Sequence, residues 1–498
     1  MVVKLLLLAA INAMFLAGLP SMVENEWWAG LAVTAFATAL IDWAYLSKKR
    51  LAAKYLVPGT IFALAFQMVP VLYSGSISLT NSSVDHRLTE QQAIDNLTGR
   101  VSNVPGTTRF ELTIMDDSGA LAFYLIDDTG NEFLGTAEGL EPVTPDEVTT
   151  DADGKVIAVD PYATLGIKDV SDRQAEIVEF EVPTDEGAIK AATLTSAAVY
   201  SALYTYDESS GLLTDSDTGV VYEPKDGRFT DPEGNTLDPG WQIFIGFDNY
   251  TRAFTNEAIR GPFMRVLIWN YVFAISSVVL TFIVGLGLAI ALNHPAMRGQ
   301  KLYRALLVIP YALPSFMTAL VWAGMLNQEF GVINRILDAD IAWLRDPTLA
   351  KASVLLVNLW LGFPYMFLVS TGALQSIPDE LKEASYVDGA TPRQAFRRIT
   401  FPMLMISVAP LLIASFAFNF NNFNVIYLLN RGGPPIEGAV TPAGHTDILI
   451  SYTYRLAFES GSGAQWGFAS AIAVLIFLMV ATVSGISFRR TRALEDLV

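Results

Sequence analysis

Long apolar stretches follow one another along most of the chain, except between about residues 76 and 260. A helix that crosses the hydrocarbon core of a bilayer needs about 20 mostly apolar residues. Eight stretches meet this requirement, at residues 3–22, 28–46, 56–74, 264–292, 304–326, 352–374, 403–429 and 467–487. The pattern therefore predicts a polytopic α-helical membrane protein with eight transmembrane helices and a large insertion after the third.

The first stretch has two interpretations. Lys4 and the following LLLLAA are typical of the charged start and apolar core of a signal peptide. However, no small-x-small cleavage site follows cleanly, and the second apolar stretch begins almost at once. We therefore expect the first helix to be retained.

The insertion has the alternation of a soluble, mainly β domain. Phe110, Leu112 and Ile114 alternate with polar residues, which predicts a half-buried strand. Turn sequences at residues 116–119 and 127–130 enclose the apolar run ALAFYLI and predict a second strand.

Three further segments of the insertion carry weaker signals. We expect a strand over residues 177–182 and a helix over the Ala- and Thr-rich residues 185–206. Residues 151–154 (DADG) have a faint likeness to a calcium loop, but the glycine comes too early and no glutamate stands at the twelfth position. We interpret them as a turn.

Charge divides the chain in the same way as hydropathy. The whole sequence is 16% charged and has a net charge of −18. Residues 76–260 hold 34 acids and 11 bases, a net charge of −23, whereas the remainder holds 16 acids and 21 bases, a net charge of +5. The acidity could serve docking of a partner or simply solubility. There is no cysteine and there are only three histidines, so disulfides, thiolate sites and a histidine metal cluster are not expected.

The basic residues predict the orientation, because cytoplasmic loops are enriched in Lys and Arg. Fifteen of the 21 bases outside the insertion fall on one side: Lys4, Lys48, Lys49, Arg50, Lys54, Arg298, Lys301, Arg304, Lys382, Arg393, Arg397, Arg398, Arg489, Arg490 and Arg492. Both termini are then cytoplasmic. We divide the chain into three helices (1–75), an acidic periplasmic domain (76–260) and a membrane core (261–498).

One cytoplasmic loop of that core, residues 376–402, predicts two short surface helices at nearly a right angle. Pro378 and the acids after it suit a first helical turn, and Gly389 suits a helix end. A second helix should begin at Thr391 and run through Arg398. On these residues alone, an ordinary surface loop with interfacial helices is the favoured interpretation.

The loop resembles the EAA loop of ABC importer permeases, in which E-A-A, three residues, glycine, nine residues and I-x-L-P follow one another. Here Glu383, Ala384, Ser385, Gly389 and the segment 399–402 (ITFP) keep this spacing, with serine for the second alanine and phenylalanine for leucine. The resemblance implies that the loop is the coupling helix, with Glu383 docking in a separate ATPase. Since the chain lacks a G-x-x-x-x-G-K-[ST] loop, ATP and Mg²⁺ would be bound by that ATPase and this chain would carry no cofactor.

Polar side chains inside apolar stretches mark a pathway or a helix contact. Three of the stretches carry them at helical spacing, and prolines 310 and 314 should bend the first. The residues are Tyr311, Ser315, Asn358, Leu361, Gly362, Tyr365, Phe418, Asn419 and Asn422. None is charged, and amides, hydroxyls and aromatic faces suit a sugar. From the residues alone, a sugar site and simple helix contacts are equally supported.

The stretches NLWLGFPYMF, IASFAFNFNNF, LNRGGPP and TPAGHTDILISYTYRLAFE resemble the permease family of maltose and maltodextrin ABC importers. The resemblance implies that the nine residues bind the sugar. It also implies the partners: a six-span permease, two copies of an ABC ATPase and a periplasmic sugar-binding protein, in the bacterial inner membrane.

Transport of maltose or maltodextrins by alternating access is therefore the expected function, with another neutral sugar or glycoside as the alternative. An ion-coupled transporter predicts membrane-embedded acids and no EAA loop, opposite to this sequence. A membrane-bound enzyme is disfavoured because the insertion offers no recognisable nucleophile and base. We expect no catalytic and no metal site.

Overall fold

The computed structural model describes residues 2–47, 49–103, 107, 109–152, 155–185, 187–293, 297–461 and 463–495. Its residues form two compact units. The membrane unit consists of the residues up to Ser83 and from Phe244 onward, and the inserted unit is Val84–Ile243. Lys48 and the second half of the predicted turn at residues 151–154 lie outside the described residues.

Three apolar helices open the membrane unit where the hydropathy predicts them. The helical elements are α1 (Val2–Glu24), α2 (Trp28–Leu46), α3 (Leu51–Ala63) and α4 (Val69–Ile77). A π-helical segment, Leu64–Met68, joins α3 to α4, so that they form one apolar span. Pro70 lies two residues after the segment, and the wider π turn accommodates a proline ring that a regular α-helix would exclude.

The inserted unit is mainly β, as predicted. Its elements are β1 (His86–Leu88), α5 (Glu90–Thr98), β2 (Val101–Asn103), β3 (Arg109–Asp117), β4 (Ala120–Ile126), β5 (Glu132–Thr136), β6 (Gly139–Pro142), β7 (Val148–Thr150), β8 (Val156–Val159), β9 (Tyr162–Thr164), α6 (Ile167–Asp172), α7 (Gln174–Glu179), β10 (Val182–Thr184), β11 (Gly187–Thr193), β12 (Ser196–Ala202), β13 (Tyr204–Asp207), β14 (Leu212–Asp215), β15 (Val221–Lys225), β16 (Arg228–Thr230) and β17 (Gly240–Trp241).

The described strands form three sheets. The largest has the order β10-β11-β12-β3-β4-β5-β6, with β2 paired to β12 and with β9, β8 and β7 continuing from β3. β13 to β16 make a four-stranded sheet in chain order, and β1 pairs parallel with β17. The hairpin β3–β4 confirms both predicted strands, and Gly119 closes its turn with a φ of 103°.

Two sequence predictions for the insertion are wrong. Residues 177–179 belong to α7 and only Val182 begins a strand, because Ile177 and Phe180 are three apart and fit a helical period as well as an alternating one. The predicted helix at residues 185–206 is instead the β11–β12 hairpin and the start of β13. Ala197 and Ala198 are almost fully buried in the sheet, so tertiary pairing overrides the helical propensity of alanine.

The second part of the membrane unit contains the remaining helices. They are α8 (Asp248–Thr255), α9 (Glu257–Leu292), α10 (Gln300–Ala312), α11 (Ser315–Met325), α12 (Val332–Leu337), α13 (Pro347–Gln375), α14 (Asp379–Val387), α15 (Pro392–Ala395), α16 (Phe401–Phe420), α17 (Phe423–Asn430), α18 (Leu449–Phe458) and α19 (Trp466–Glu495). Within the described residues, seven helices are long and apolar enough to cross a membrane, and the bent pair α10–α11 gives an eighth. This agrees with the eight predicted spans.

One predicted element of the cytoplasmic loop is wrong. The helix that starts at Thr391 does not end at Arg398, but continues through a π-helical segment, Phe396–Thr400, into α16. Pro402 does not interrupt it, since a proline is tolerated where a π turn, closed by the Phe401 N–H and the Phe396 carbonyl, precedes it. The loop therefore has one separate short helix, α14.

α9 and α13 pack closely along a seam of small residues. A Cβ on Gly285 would lie 2.6 Å from Met366 Cβ and 2.7 Å from the Phe367 nitrogen. One turn away, a Cβ on Gly362 would lie 2.8 Å from Thr281 Cγ2. Small residues permit such close helix packing in a membrane. The seam fixes the position of α13, which carries four of the nine predicted site residues.

Candidate functional site

Two prolines place the first polar pair at a sharp bend. The axes of α10 and α11 differ by 91°. Pro310 and Pro314 have no N–H to donate to the helical ladder, so the prediction of a bend is confirmed. Tyr311 and Ser315 lie on either side of the bend, and both side chains are exposed.

α13 presents its predicted residues on one face. Asn358, Leu361, Gly362 and Tyr365 stand at positions i, i+3, i+4 and i+7 of a continuous helix. The ring of Tyr365 lies nearly parallel to that of Tyr311, with centroids 6.3 Å apart and planes at 25°. This contact brings the bend of α10 and α11 against α13.

The third group lies at a break in a helix. α16 and α17 are separated by Asn421 and Asn422, whose N–H groups each donate to a carbonyl three residues back at 3.2 Å. Asparagine favours such a break, because its side chain competes with the helix for backbone partners. The sequence predicted one uninterrupted apolar stretch here. The break turns Asn422 toward the other two groups.

All nine predicted residues line one cavity of about 660 Å³. Its wall comes from α9, from the bend between α10 and α11, from α13, and from the break between α16 and α17. None of the lining residues in the described part of the chain carries a charge. The lining residues beyond the predicted nine are Thr281, Pro310, Leu313, Ala414, Ser415, Asn421, Phe423, Asn424 and Val425.

Some of these additional residues could have been found from sequence. Asn421 and Asn424 belong to the same FNFNNFN run as three predicted residues, and the run is itself the signal. Thr281 gives no signal, because it is a single threonine in a long apolar helix. It reaches the cavity wall only because Gly362 lets α9 approach α13.

Three buried asparagines form a hydrogen-bonded network in the wall. Asn358 Nδ2 donates to Asn419 Oδ1 at 2.8 Å, and Asn422 Nδ2 donates to Asn358 Oδ1 at 3.0 Å. Asn419 Nδ2 donates in turn to the Ser415 carbonyl at 2.8 Å. Their exposed fractions are only 4% to 9%. The asparagines thus join α13 to α16 and line the cavity at the same time.

The network leaves the asparagines able to bind a ligand as well. Each amide has two N–H donors and an oxygen with two lone pairs. The bonds within the network use one donor and one lone pair of Asn358. Phe418 beside them has 68% of its side chain exposed, so an aromatic face is available next to the amides. The arrangement can bind a neutral, hydroxyl-rich molecule.

The predicted coupling residues lie on α14 and at its end. Glu383 and Ala384 are exposed, whereas Ser385 is buried and its hydroxyl donates to the Lys382 carbonyl at 2.7 Å. Gly389 has a φ of 82° and ends the helix in a Schellman motif: its N–H donates to the Tyr386 carbonyl at 3.1 Å, and the next N–H donates to the Ser385 carbonyl at 2.9 Å. A glycine is favoured there because other residues rarely adopt this φ.

Residues 282–491 match the family described as binding-protein-dependent transport system inner membrane component. Residues 61–138 match the N-terminal of TM subunit in PBP-dependent ABC transporters. The chain is also similar to a solved bacterial ABC transporter involved in the import of the acidic polysaccharide alginate, with 23% identity over 50% of this chain and 84% of that one and a TM-score of 0.44.

Two proteins with the same name are similar over nearly the whole length. The maltose/maltodextrin transport system permease protein MalF of Escherichia coli (strain K12) is 38% identical over 471 residues, which is 91% of this chain and 89% of that protein. MalF of Vibrio vulnificus (strain YJ016) is 37% identical over 481 residues, 93% of this chain and 90% of that protein.

The helices, the mainly β insertion and the family matches define a permease subunit of an ABC importer, a multi-pass protein of the inner membrane. The chain belongs to the MalF family of maltose/maltodextrin transport system permease proteins. It is accordingly a transport component and not an enzyme.

Proposed function

We propose that the chain carries maltose and maltodextrins across the inner membrane by alternating access. The observation that supports this most is the convergence of nine residues from separate helices on one uncharged cavity. The cavity opens outward to take the sugar and inward to release it. A ligand drives such a cycle only through different affinities for the two states, and ATP supplies the bias.

The chemistry of the cavity supports a neutral sugar. Amides and hydroxyls, as on Asn422 and Ser315, exchange hydrogen bonds with sugar hydroxyls, and the rings of Tyr311 and Phe418 suit the apolar faces of a pyranose. The names of the relatives favour maltose and maltodextrins among such sugars. Another neutral sugar or glycoside is the alternative, since the same groups would bind it.

The movement of the ATPase is transmitted to this chain through α14. Glu383 and Ala384 are exposed, and so are Leu381, Tyr386 and Val387 on the same short helix. An acidic residue beside an exposed apolar surface is suited to a cleft on another protein. We propose that two copies of an ABC ATPase bind ATP and Mg²⁺, and that α14 docks on the ATPase. When the two copies close, they move α14. The other partners are a second, six-span permease and a periplasmic sugar-binding protein.

The distribution of bases supports an orientation with both termini in the cytoplasm. The same orientation makes the inserted unit periplasmic. It also puts α14 on the cytoplasmic side, where the ATPase has access to ATP. The acidic inserted unit is then free to dock the sugar-binding protein.

The test is ATP-driven uptake by the assembled transporter in proteoliposomes. Radiolabelled maltose should accumulate only with ATP inside, and maltotriose should compete with it while sucrose and lactose do not. Competition by lactose or sucrose stronger than by maltotriose would favour the alternative sugar. Accumulation that follows a proton or sodium gradient without ATP would contradict the proposal.

A further inference from the structure

Asn270 is a fully buried amide in the middle of α9 that holds two other elements. Its Nδ2 donates to the carbonyl of Phe420, the last residue of α16, at 3.1 Å. Its Oδ1 accepts from the backbone N–H of Leu449, the first residue of α18, at 2.6 Å. One side chain thus joins α9, α16 and α18.

Both partners are backbone groups that helix geometry leaves unpaired. The last carbonyls of a helix and its first N–H groups have no partner inside it. Within a membrane protein no bulk water replaces the missing partner, so an unpaired group is costly. An asparagine has a donor and an acceptor on one planar amide, so Asn270 can satisfy Phe420 and Leu449 together.

Phe420 is a buried residue that lies between cavity-lining residues without lining the cavity itself. It stands directly between Asn419 and the helix break that carries Asn422. The helical ladder of α16 stops here, so the Phe420 carbonyl needs an anchor from outside α16. Asn270 supplies it without itself lining the cavity.

The neighbouring residue strengthens the same attachment. Trp269 Nε1 donates to the carbonyl of Thr446 at 3.1 Å, three residues before Leu449. α9 therefore forms one hydrogen bond with the loop before α18, at Thr446, and one with the first residue of α18, Leu449. A displacement of that loop acts on the same amide that holds the cavity wall.

We propose that Asn270 is a positioning residue for the sugar site: it holds Phe420 so that Asn419 and Asn422 face the cavity, and it ties their position to α18. The inference rests on the proposed sugar transport. Asn270 acts through these two asparagines and makes no contact with the sugar.

The first test compares Asn270→Leu with Asn249→Leu in the assembled complex. Asn249 is a matched control, because it is also buried and its Nδ2 donates to the Ser78 and Thr80 carbonyls, away from the cavity. Asn270→Leu should raise the KM for maltose uptake about tenfold. Asn249→Leu should lower the melting temperature and change KM less than about twofold.

A double-mutant cycle tests the route of action. If Asn270 acts through the asparagines, Asn270→Leu should add little to the KM of an Asn422→Ala variant. If the Asn270→Leu complex does not assemble, Asn270→Ser takes its place in the same KM measurements, with the same expected results. An unchanged KM in either Asn270 variant, or fully additive effects with Asn422→Ala, would overturn the proposal.

A second readout does not need sugar. The chain has no cysteine, so in a complex whose partner subunits also lack cysteine a spin label on Asn421→Cys reports on the helix break alone. The label should become more mobile when Asn270 is replaced and stay unchanged when Asn249 is replaced. An unchanged label with Asn270→Leu overturns the positioning role. If replacing Asn270 makes the label mobile but the transporter with Asn270 intact does not import maltose, the positioning of Phe420 is supported and the proposed function is rejected.

Discussion

Asn358 Nδ2 donates to Asn419 Oδ1 at 2.8 Å, across the contact between α13 and α16. Both residues line the cavity, so the pair is at once a contact between helices and a part of the candidate sugar site. Loss of either asparagine can act on stability, on sugar affinity or on both. The first prediction separates these effects.

Asn419→Ala and Asn422→Ala should reduce transport far more than assembly. Removing one partner of a buried hydrogen bond costs about 1–3 kcal/mol, which is about a tenfold to hundredfold loss of affinity. A contact between membrane helices contributes only about 0.6 kcal/mol. The measurement is the KM for maltose uptake beside the melting temperature of the solubilised complex.

The control for this prediction is Asn334→Ala. Asn334 is buried and binds the Gln328 and Ile341 carbonyls and the Trp343 indole, outside the cavity. It should lower the melting temperature without raising KM. If the cavity variants behave like this control, the asparagines serve only to join helices.

Gly362→Ala should lower the melting temperature and raise the KM for maltose uptake, because the added Cβ would lie 2.8 Å from Thr281 Cγ2. Overpacking of this kind typically costs about 1–3 kcal/mol. Thr281→Ser removes the methyl group but retains the hydroxyl, which donates to the Ser277 carbonyl. The double variant should recover the melting temperature and KM of the wild type, and failure of this rescue would show that the close packing of α9 and α13 is not the cause.

Gly389→Pro should abolish maltose uptake while leaving membrane insertion intact. Proline fixes φ near −65° and lacks the N–H that Gly389 donates to Tyr386, so α14 loses its C-terminal motif. Glu383→Lys should have the same effect through reversed charge. The measurement is ATPase activity stimulated by the binding protein and maltose in purified complexes.

Gly438→Pro is the matched control, since Gly438 also has a positive φ and open space around it but lies outside the cytoplasmic loop. It should retain stimulated ATPase activity. Normal stimulation in Gly389→Pro would refute the role of α14 as the coupling helix.

The inserted unit should fold alone when expressed as Val84–Ile243, and its free energy of unfolding should decrease as the pH falls below about 6.5. Burial and the adjacent Arg228 lower the pKa of His86 from its ordinary 6.5, although Asp85 and Asp238 oppose this. The folded unit therefore favours the neutral imidazole, whose Nε2 accepts from Arg228 Nε at 3.2 Å. Stability is complete above the unfolded pKa and is lost as the pH falls through the lower folded pKa.

His86→Gln tests the source of this dependence. Its amide oxygen can still accept from Arg228 but does not titrate in this range. Urea unfolding at pH 7.5, 6.5 and 5.5 should show a loss of stability between these values for the wild type and a smaller loss for His86→Gln. Equal losses would exclude His86 as the titrating group.

Hydropathy predicted the membrane helices because a bilayer imposes both length and composition on a helix such as α9. The nine site residues could be proposed from helical spacing and family resemblance, and spacing alone put Asn358 and Tyr365 on one face of α13. Thr281 could not be found in this way, because its place in the wall depends on Gly362, a contact distant in sequence.

The failures share a physical cause. Alanine at residues 197 and 198 favours a helix in isolation, but pairing of β12 with β11 and β3 decides its conformation. The break beside Asn421 and the continuation of α15 into α16 depend on local backbone geometry that apolar composition does not encode. The role of Asn270 could not be predicted from the sequence, because both of its partners are backbone groups far along the chain.

The central claim is that the sugar occupies the cavity, and site-directed protection measures this most directly. Leu313 lines the cavity and is 47% exposed, whereas Val440 is 61% exposed and lies outside it. Each is replaced by cysteine in a complex whose partner subunits lack cysteine, and the rate of thiol labelling is measured with and without maltose. Maltose at a concentration well above its Kd should slow labelling of Leu313→Cys at least about tenfold, because the site is then almost fully occupied. It should leave the labelling rate of Val440→Cys unchanged. Equal labelling rates for Leu313→Cys with and without saturating maltose, in a complex that still transports it, would contradict the account.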